Sequence, residues 1–144
     1  MKLSILNGPN LNMLGKRDPD QYGTATLKEI EKLLIESFPQ HEMTFFQSNL
    51  EGELVEAIQS LADSEFDGVI VNFGGYSHTS VAIRDALDLL EIPIVEVHLS
   101  NIHAREDFRE KTLTGALAKG IITGFGKQSY VLGVQAMAEL LKND

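Results

Sequence analysis

The chain has 144 residues, 43% hydrophobic and 23% charged, proportions of one globular domain that exclude disordered, collagen-like and low-complexity classes. Its net charge of −9 repels a phosphate backbone, so nucleic acid is not an expected partner, and an anionic ligand would have to be met by local cations. With 0 cysteines it has neither a disulfide framework nor a thiolate metal site, and no apolar run approaches the roughly 18 residues needed to cross a membrane.

The first expected strand is Lys2–Leu6. It runs into Gly8 and Pro9 too early for a secretion signal, which makes the cytoplasm the expected compartment. A long connection follows to Gly23, and loops above about 12 residues are usually lids or binding loops. Gly15 and Gly23 bracket its Arg17/Tyr22 segment like hinges. Thr26, with Glu29 three positions on, forms a capping box that opens a helix with the stripe Leu27, Ile30, Leu34 and Phe38. The second strand is Met43–Gln47, after which Ser48 and Glu51 repeat the capping signature ahead of Leu54, Ile58 and Leu61. Gly68–Asn72 is the third strand, and Ala82, Ala86 and Leu89 mark the next helix. Ile94–His98 is the fourth strand. The run from Ser100 to Lys119 has no clean period and leaves open a short helix within a loop. The fifth strand is Gly120–Gly126, and Tyr130, Val134, Met137 and Leu141 stripe the last helix.

The strands favour β-branched residues without clean alternation, as strands covered on both faces do. Strand–helix alternation predicts an α/β fold: a flavodoxin-like doubly wound five-stranded parallel sheet, order 2-1-3-4-5, with helices on both faces. Residues 1–144 are expected to form a single domain. Ligands of such folds bind outside the carboxyl ends of the strands, and the polar residues concentrate there.

After strand one comes Asn7-Gly8-Pro9-Asn10-Leu11, then Arg17 and Tyr22. A phenol is a poor base at neutral pH because its reference pKa is about 10, but a neighbouring arginine commonly lowers an acidic group by about 1–3 units. Alone, the two residues also read as a surface pair on a mobile loop. After strand three, Asn72 is followed by Gly74-Gly75-Tyr76-Ser77-His78-Thr79-Ser80. The glycines admit close backbone approach to a ligand, and His78 falls near a helix start; the plainer reading is a tight turn with a capping histidine. On strand four Glu96 and His98 are two apart and face one side. A carboxylate beside an imidazole fixes its tautomer and favours its proton, which suits a general acid, although the two could also merely cap a sheet edge. His98 and His103 lack the spacing of a metal pair, so no metal is expected.

Taken together, Asn7-Gly8-Pro9-Asn10-Leu11, Arg17, Tyr22-Gly23, Gly75-Tyr76-Ser77-His78-Thr79-Ser80 and Glu96-Val97-His98-Leu99-Ser100-Asn101 resemble the type II 3-dehydroquinate dehydratases (type II dehydroquinases). Arg105-Glu106, Phe108-Arg109 and Gly124-Phe125-Gly126 continue the match. The resemblance implies a hydro-lyase of the shikimate pathway that converts 3-dehydroquinate to 3-dehydroshikimate through an enolate, without a cofactor. It implies Tyr22 as the base at C2, with Arg17 favouring the phenolate and Asn10 supporting the enolate through an ordered water. It implies His98 as proton donor to the C1 hydroxyl, oriented by Glu96, with Asn72 holding that hydroxyl. Ser100 and the Leu99 backbone would bind the carboxylate, and His78 and Arg109 the ring hydroxyls. Asp85 would reach a neighbouring subunit's site, and the implied assembly is a homododecamer built from trimers. Departures from the family's usual pattern are Phe73, Asp18, Ser77 and Glu110-Lys111-Thr112; of these Phe73 bears on the pocket's shape.

Other jobs of the same fold fit poorly. A phosphate-accepting receiver needs aspartate where Asn7 and Asn72 stand, a flavin site needs a Ser/Thr-rich loop after strand one, and no Gly-x-Gly-x-x-Gly turn is present. A non-catalytic binding module that kept the pocket and lost turnover is the remaining alternative.

Overall fold

A computed structural model describes residues 1–142. The elements run β1 (Lys2–Asn7), α1 (Pro19–Tyr22), α2 (Leu27–Ser37), β2 (Glu42–Gln47), α3 (Glu51–Gln59), β3 (Gly68–Asn72), α4 (Tyr76–Thr79), α5 (Val81–Leu87), β4 (Ile94–His98), β5 (Gly120–Thr123) and α6 (Gln128–Lys142). All five strands pair in parallel in the order β2-β1-β3-β4-β5. This is the expected α/β flavodoxin-like fold.

Strand alternation splits the core in two. Leu3, Ile5, Ile70, Val95 and Val97 meet Ile30 and Leu34 of α2 and Tyr130, Val134 and Met137 of α6 on one face. Leu6, Val69, Val71 and Ile94 meet Leu54 and Ile58 of α3 and Ile83, Ala86 and Leu87 of α5 on the other. At about 25 cal/mol per Å² of apolar area, each fully buried Leu or Ile contributes roughly 1.5–3 kcal/mol, so these two layers dominate stability. The same alternation sends Asn7 and Asn72, paired in register, toward α6, and Glu96 and His98 toward the opposite layer.

Four local expectations need correction. Burial on both faces holds for the inner strands, but β2 alternates half-buried and exposed residues because it is an edge, and β5 is the other edge. The fifth strand stops at Thr123, where Gly124 and Gly126 take φ of +98° and +58°. Ser48 and Glu51 form no capping box, because α3 starts at Glu51 itself and its carboxylate cannot reach back. Ser48 Oγ instead accepts from the Leu50 amide and donates to Glu53. The buried stripe of α5 is Ile83, Ala86 and Leu87, while Ala82 and Leu89 are exposed, since the helix ends before Leu89 could join it. Elsewhere the Thr26/Glu29 capping box is present, and the ambiguous run from Ser100 to Lys119 holds three single turns of 3-10 helix. Among the described residues no helix is long and apolar enough to cross a membrane.

Candidate active site

The connections leaving β1, β3 and β4 close around one cavity of about 110 Å³ at the carboxyl ends of the strands. Gly8 makes the closure possible. Its amide donates to Asn72 O at 2.8 Å, and a Cβ there would lie 2.5 Å from Phe73 O. Asn10 follows with φ +69°, a left-handed conformation that asparagine tolerates, and its amide donates to Asn49 Oδ1 at 2.9 Å.

Tyr22 ends the single turn of α1. Asp18 caps that turn by accepting from the Asp20 amide at 3.0 Å, Pro19 presets its first φ, and Gly23 stops it at φ +71°. The Asp18 departure is therefore a functioning cap. Arg17 Nη2 donates to Tyr22 Oη at 2.8 Å, with its guanidinium carbon 3.8 Å from the ring centroid. The pair faces the cavity.

Opposite stand the β4 residues. His98 lines the cavity and its Nε2 lies 3.1 Å from Glu96 Oε2. Glu96 is wholly buried beneath it and does not line the cavity. With Nε2 committed to the carboxylate, Nδ1 is the His98 nitrogen left to serve a ligand. His78 stacks on His98 with ring centroids 6.0 Å apart, and its Nδ1 donates to Lys111 O at 2.9 Å. Burial, more than the nearby Arg109 and His98, lowers the His78 pKa below its ordinary value despite the Lys111 carbonyl. The neutral ring so favoured presents Nε2 as an acceptor.

Asn72 is buried at the cavity floor. Its Nδ2 donates to Tyr130 Oη at 3.0 Å, its Oδ1 accepts from the Gly74 amide, and Tyr130 Oη donates to Asn7 Oδ1 at 2.5 Å. Burial drives the Tyr130 pKa far above its usual range, against the opposing hydrogen bond from Asn72, so its hydroxyl stays protonated. Leu99 and Ser100 complete the β4 side, where Ser100 Oγ accepts from Arg105 Nη1 at 3.2 Å. Arg109 lines the rim, its Nε 2.5 Å from Glu106 Oε2. The Glu106 carboxyl is held below its usual value, first by its own backbone amide and then by Arg109.

Of the candidate site residues, two do not line this cavity: Glu96, which touches it only through His98, and Asp85. Asp85 is exposed on α5, with Arg84 Nη1 3.4 Å away. Phe73, the departure that bore on pocket shape, is fully buried in the α3/α5 layer and does not line the cavity. Sequence reasoning gave Arg105 no role, yet it lines the cavity 5.2 Å from the Tyr22 ring centroid. Its signal was a cation past a strand's carboxyl end in an acidic chain. Arg17, Arg105 and Arg109 thus border a cavity that no carboxylate or lysine lines among the described residues. The molecule is acidic overall but its cleft is cationic, as an anionic ligand requires. Among the described residues, no three His, Asp or Glu side chains are grouped to hold a metal ion.

The family model for dehydroquinase class II matches residues 1–138. The chain belongs to the class II dehydroquinases. It is 49% identical over 144 residues to a 3-dehydroquinate dehydratase of Exiguobacterium sp., covering 99% of this chain and 98% of that one. A 3-dehydroquinate dehydratase of Helicobacter acinonychis is 46% identical, with 98% and 86% covered. Among solved structures, the type II dehydroquinase of Butyrivibrio crossotus superposes with a TM-score of 0.92 at 36% identity, covering 96% of this chain and 97% of that one. That of Propionibacterium acnes gives 0.89 at 38%, covering 96% and 94%. In this dehydroquinase, the matched span holds every side chain described above as lining the cavity.

Proposed function

We infer that the chain is a 3-dehydroquinate dehydratase, a hydro-lyase that removes water from 3-dehydroquinate to give 3-dehydroshikimate in the shikimate pathway. The observation that carries this reading is that the Arg17–Tyr22 pair, on the connection after β1, and His98 of β4, backed by Glu96, meet at one cationic cavity. Elimination from a β-hydroxy ketone needs a base, a stabiliser for the developing oxyanion and an acid.

Tyr22, as phenolate, removes the proton from C2, beside the ketone. Arg17 supports it, because its guanidinium donates to the phenolic oxygen and meets negative charge there. The electron pair moves onto the C3 oxygen as an enolate, which Asn10 stabilises through a bridging water. Collapse of the enolate expels the C1 hydroxyl, and His98 protonates it so that water leaves. Glu96 holds the donor ring in place until then. Asn72 holds the departing hydroxyl with the amide hydrogen that Tyr130 does not engage. Ser100 and the Leu99 backbone take the substrate carboxylate, Arg109 binds a ring hydroxyl, and His78 accepts from another through Nε2.

Residues 1–144 act as a single catalytic domain in the cytoplasm, assembled as a homododecamer of trimers. The exposed side chains Leu50, Val81, Leu89, Phe108 and Phe125 favour such burial, and exposed Asp85 is free to enter a neighbour's cleft. Sedimentation should return the twelve-chain species; a monomer with full activity would remove Asp85 from the site.

The deciding assay mixes purified protein with 3-dehydroquinate and follows the conjugated enone absorbance of the product. Wild-type turnover with Tyr22→Phe and His98→Ala each reduced by about 10²–10⁴-fold supports the reading. Tight binding without product would make the chain a binding module instead.

A further inference from the structure

We propose that Thr114 is a positioning residue for the dehydration: its buried hydroxyl fixes the Glu96 carboxylate, which in turn holds His98 at the cavity. The rate effect rests on the dehydratase reading, whereas the effect on the His98 ring rests on geometry alone. Glu96 is 0% exposed, so each carboxylate oxygen needs a donor from the protein. Oε2 has His98 Nε2. Oε1 has the hydroxyl of Thr114, a residue also 0% exposed. Among the described residues no other group donates to this carboxylate. Without the Thr114 bond the carboxylate can turn about its last torsion, and the imidazole loses its fixed partner.

The segment bearing Thr114 is tied to the β3 side of the cavity as well. Lys111 O accepts from His78 Nδ1, and the Leu113 amide donates to Ser77 O at 2.7 Å. At Gly115 the backbone passes so close that a Cβ would stand 3.1 Å from Glu96 Oε2 and 2.5 Å from Ile121 Cδ1. One strap therefore supports His78 and, through Glu96, His98. Thr114 does not line the cavity, so it acts on the substrate only through these groups.

The test compares Thr114→Val, which removes the hydroxyl at similar volume, with Thr114→Ser, which keeps it. On 3-dehydroquinate the valine variant should lose about 10–100-fold in kcat with KM within about twofold, and the serine variant should stay within about threefold of wild type. In proton NMR the slowly exchanging, downfield His98 Nε2–H signal should persist in wild type and Thr114→Ser and vanish in Thr114→Val. In a Glu96→Ala background, adding Thr114→Val should change kcat less than about twofold, because the group it acts through is gone. If the valine variant does not fold, Thr114→Ala takes its place in all three measurements. A valine variant with wild-type kcat and an intact His98 signal overturns the proposal, as do equal losses in both backgrounds or in both variants. An inactive wild type overturns the dehydratase reading, and the NMR comparison then decides the role of Thr114 by itself.

Discussion

Tyr130→Phe deletes one oxygen from the deepest polar cluster of the protein and leaves the ring that packs between the sheet and α6. That oxygen donates to Asn7 Oδ1 and accepts from Asn72 Nδ2, and all three residues are at most 3% exposed. Each lost bond is worth about 1 kcal/mol net, and each buried group left without a partner costs about 1–3 kcal/mol, terms that overlap to roughly 2–4 kcal/mol in all. For a domain of this size the Tm should fall by roughly 6–16 °C. Circular dichroism melts at pH 7 measure the drop, and kcat should fall with it because the Asn72 amide loses its anchor. The pH dependence gives a second reading. The folded-state pKa of Tyr130 is raised, so its contribution is complete below about pH 10 and is lost at higher pH, as the unfolded phenol ionises and the folded one cannot. The gap between wild type and variant should therefore narrow in alkaline buffer. A phenylalanine variant melting within about 2 °C of wild type at pH 7 would refute the anchoring of Asn72 by Tyr130.

Arg17→Ala should lower kcat by about 10²–10³-fold with KM changed only a few-fold, since the guanidinium acts mainly on charge that develops during proton removal; a loss confined to KM would take Arg17 out of the chemistry. Turnover should survive both chelator and borohydride, because an acid, a base and hydrogen-bond donors suffice and, among the described residues, no lysine lines the cavity to form an imine; inactivation by either reagent contradicts that scheme. The His78 pKa is lowered in the folded state, so stability should decline as pH falls below about 6.5, where the unfolded chain binds a proton that the folded one resists. His78→Gln should flatten this acid limb in melts between pH 7.5 and 5, leaving the share of His41, whose pKa burial also lowers; an unchanged limb removes His78 as its source. Gly8→Ala should destabilise by about 1–3 kcal/mol, because its Cβ would meet Phe73 backbone; an unchanged urea midpoint would mean the two connections move apart freely.

The fold was legible where periodicity and length agreed. Gly68–Asn72 and Ile94–His98 end where apolar runs end, and Thr26 with Glu29 marks a helix start by a local hydrogen-bond pattern that needs no tertiary partner. Errors arose where tertiary position decided the outcome. Nothing local tells an edge strand from a central one, so the alternation of β2 and the exposure of β5 went unread. Ser48 has the spacing of a cap, but the chain turns through Leu50 and the hydroxyl serves that turn instead. For the cavity, the two-residue spacing of Glu96 and His98 placed both on one face of β4, and the structure adds the contact between them. Arg105 and Thr114 had no comparable signal, because the connection from Ser100 to Lys119 folds in single turns without a repeating period.

That irregular connection is where the sheet's regularity stops being useful to a catalyst. Strands β1, β3 and β4 deliver polar side chains to one edge but alternate them between faces, which sends Asn7 and Asn72 toward α6 and Glu96 and His98 the other way. Each set is buried and needs partners that its own strand cannot offer. On the α6 side a regular helix suffices, since one tyrosine reaches both asparagines. On the other side α5 offers the buried apolar residues Ile83, Ala86 and Leu87, and the carboxylate is met by a strap that is itself hydrogen-bonded to His78 and Ser77. On this face the strap of residues 110–117 thus supplies the donor to Glu96 Oε1 that the apolar residues of α5 do not.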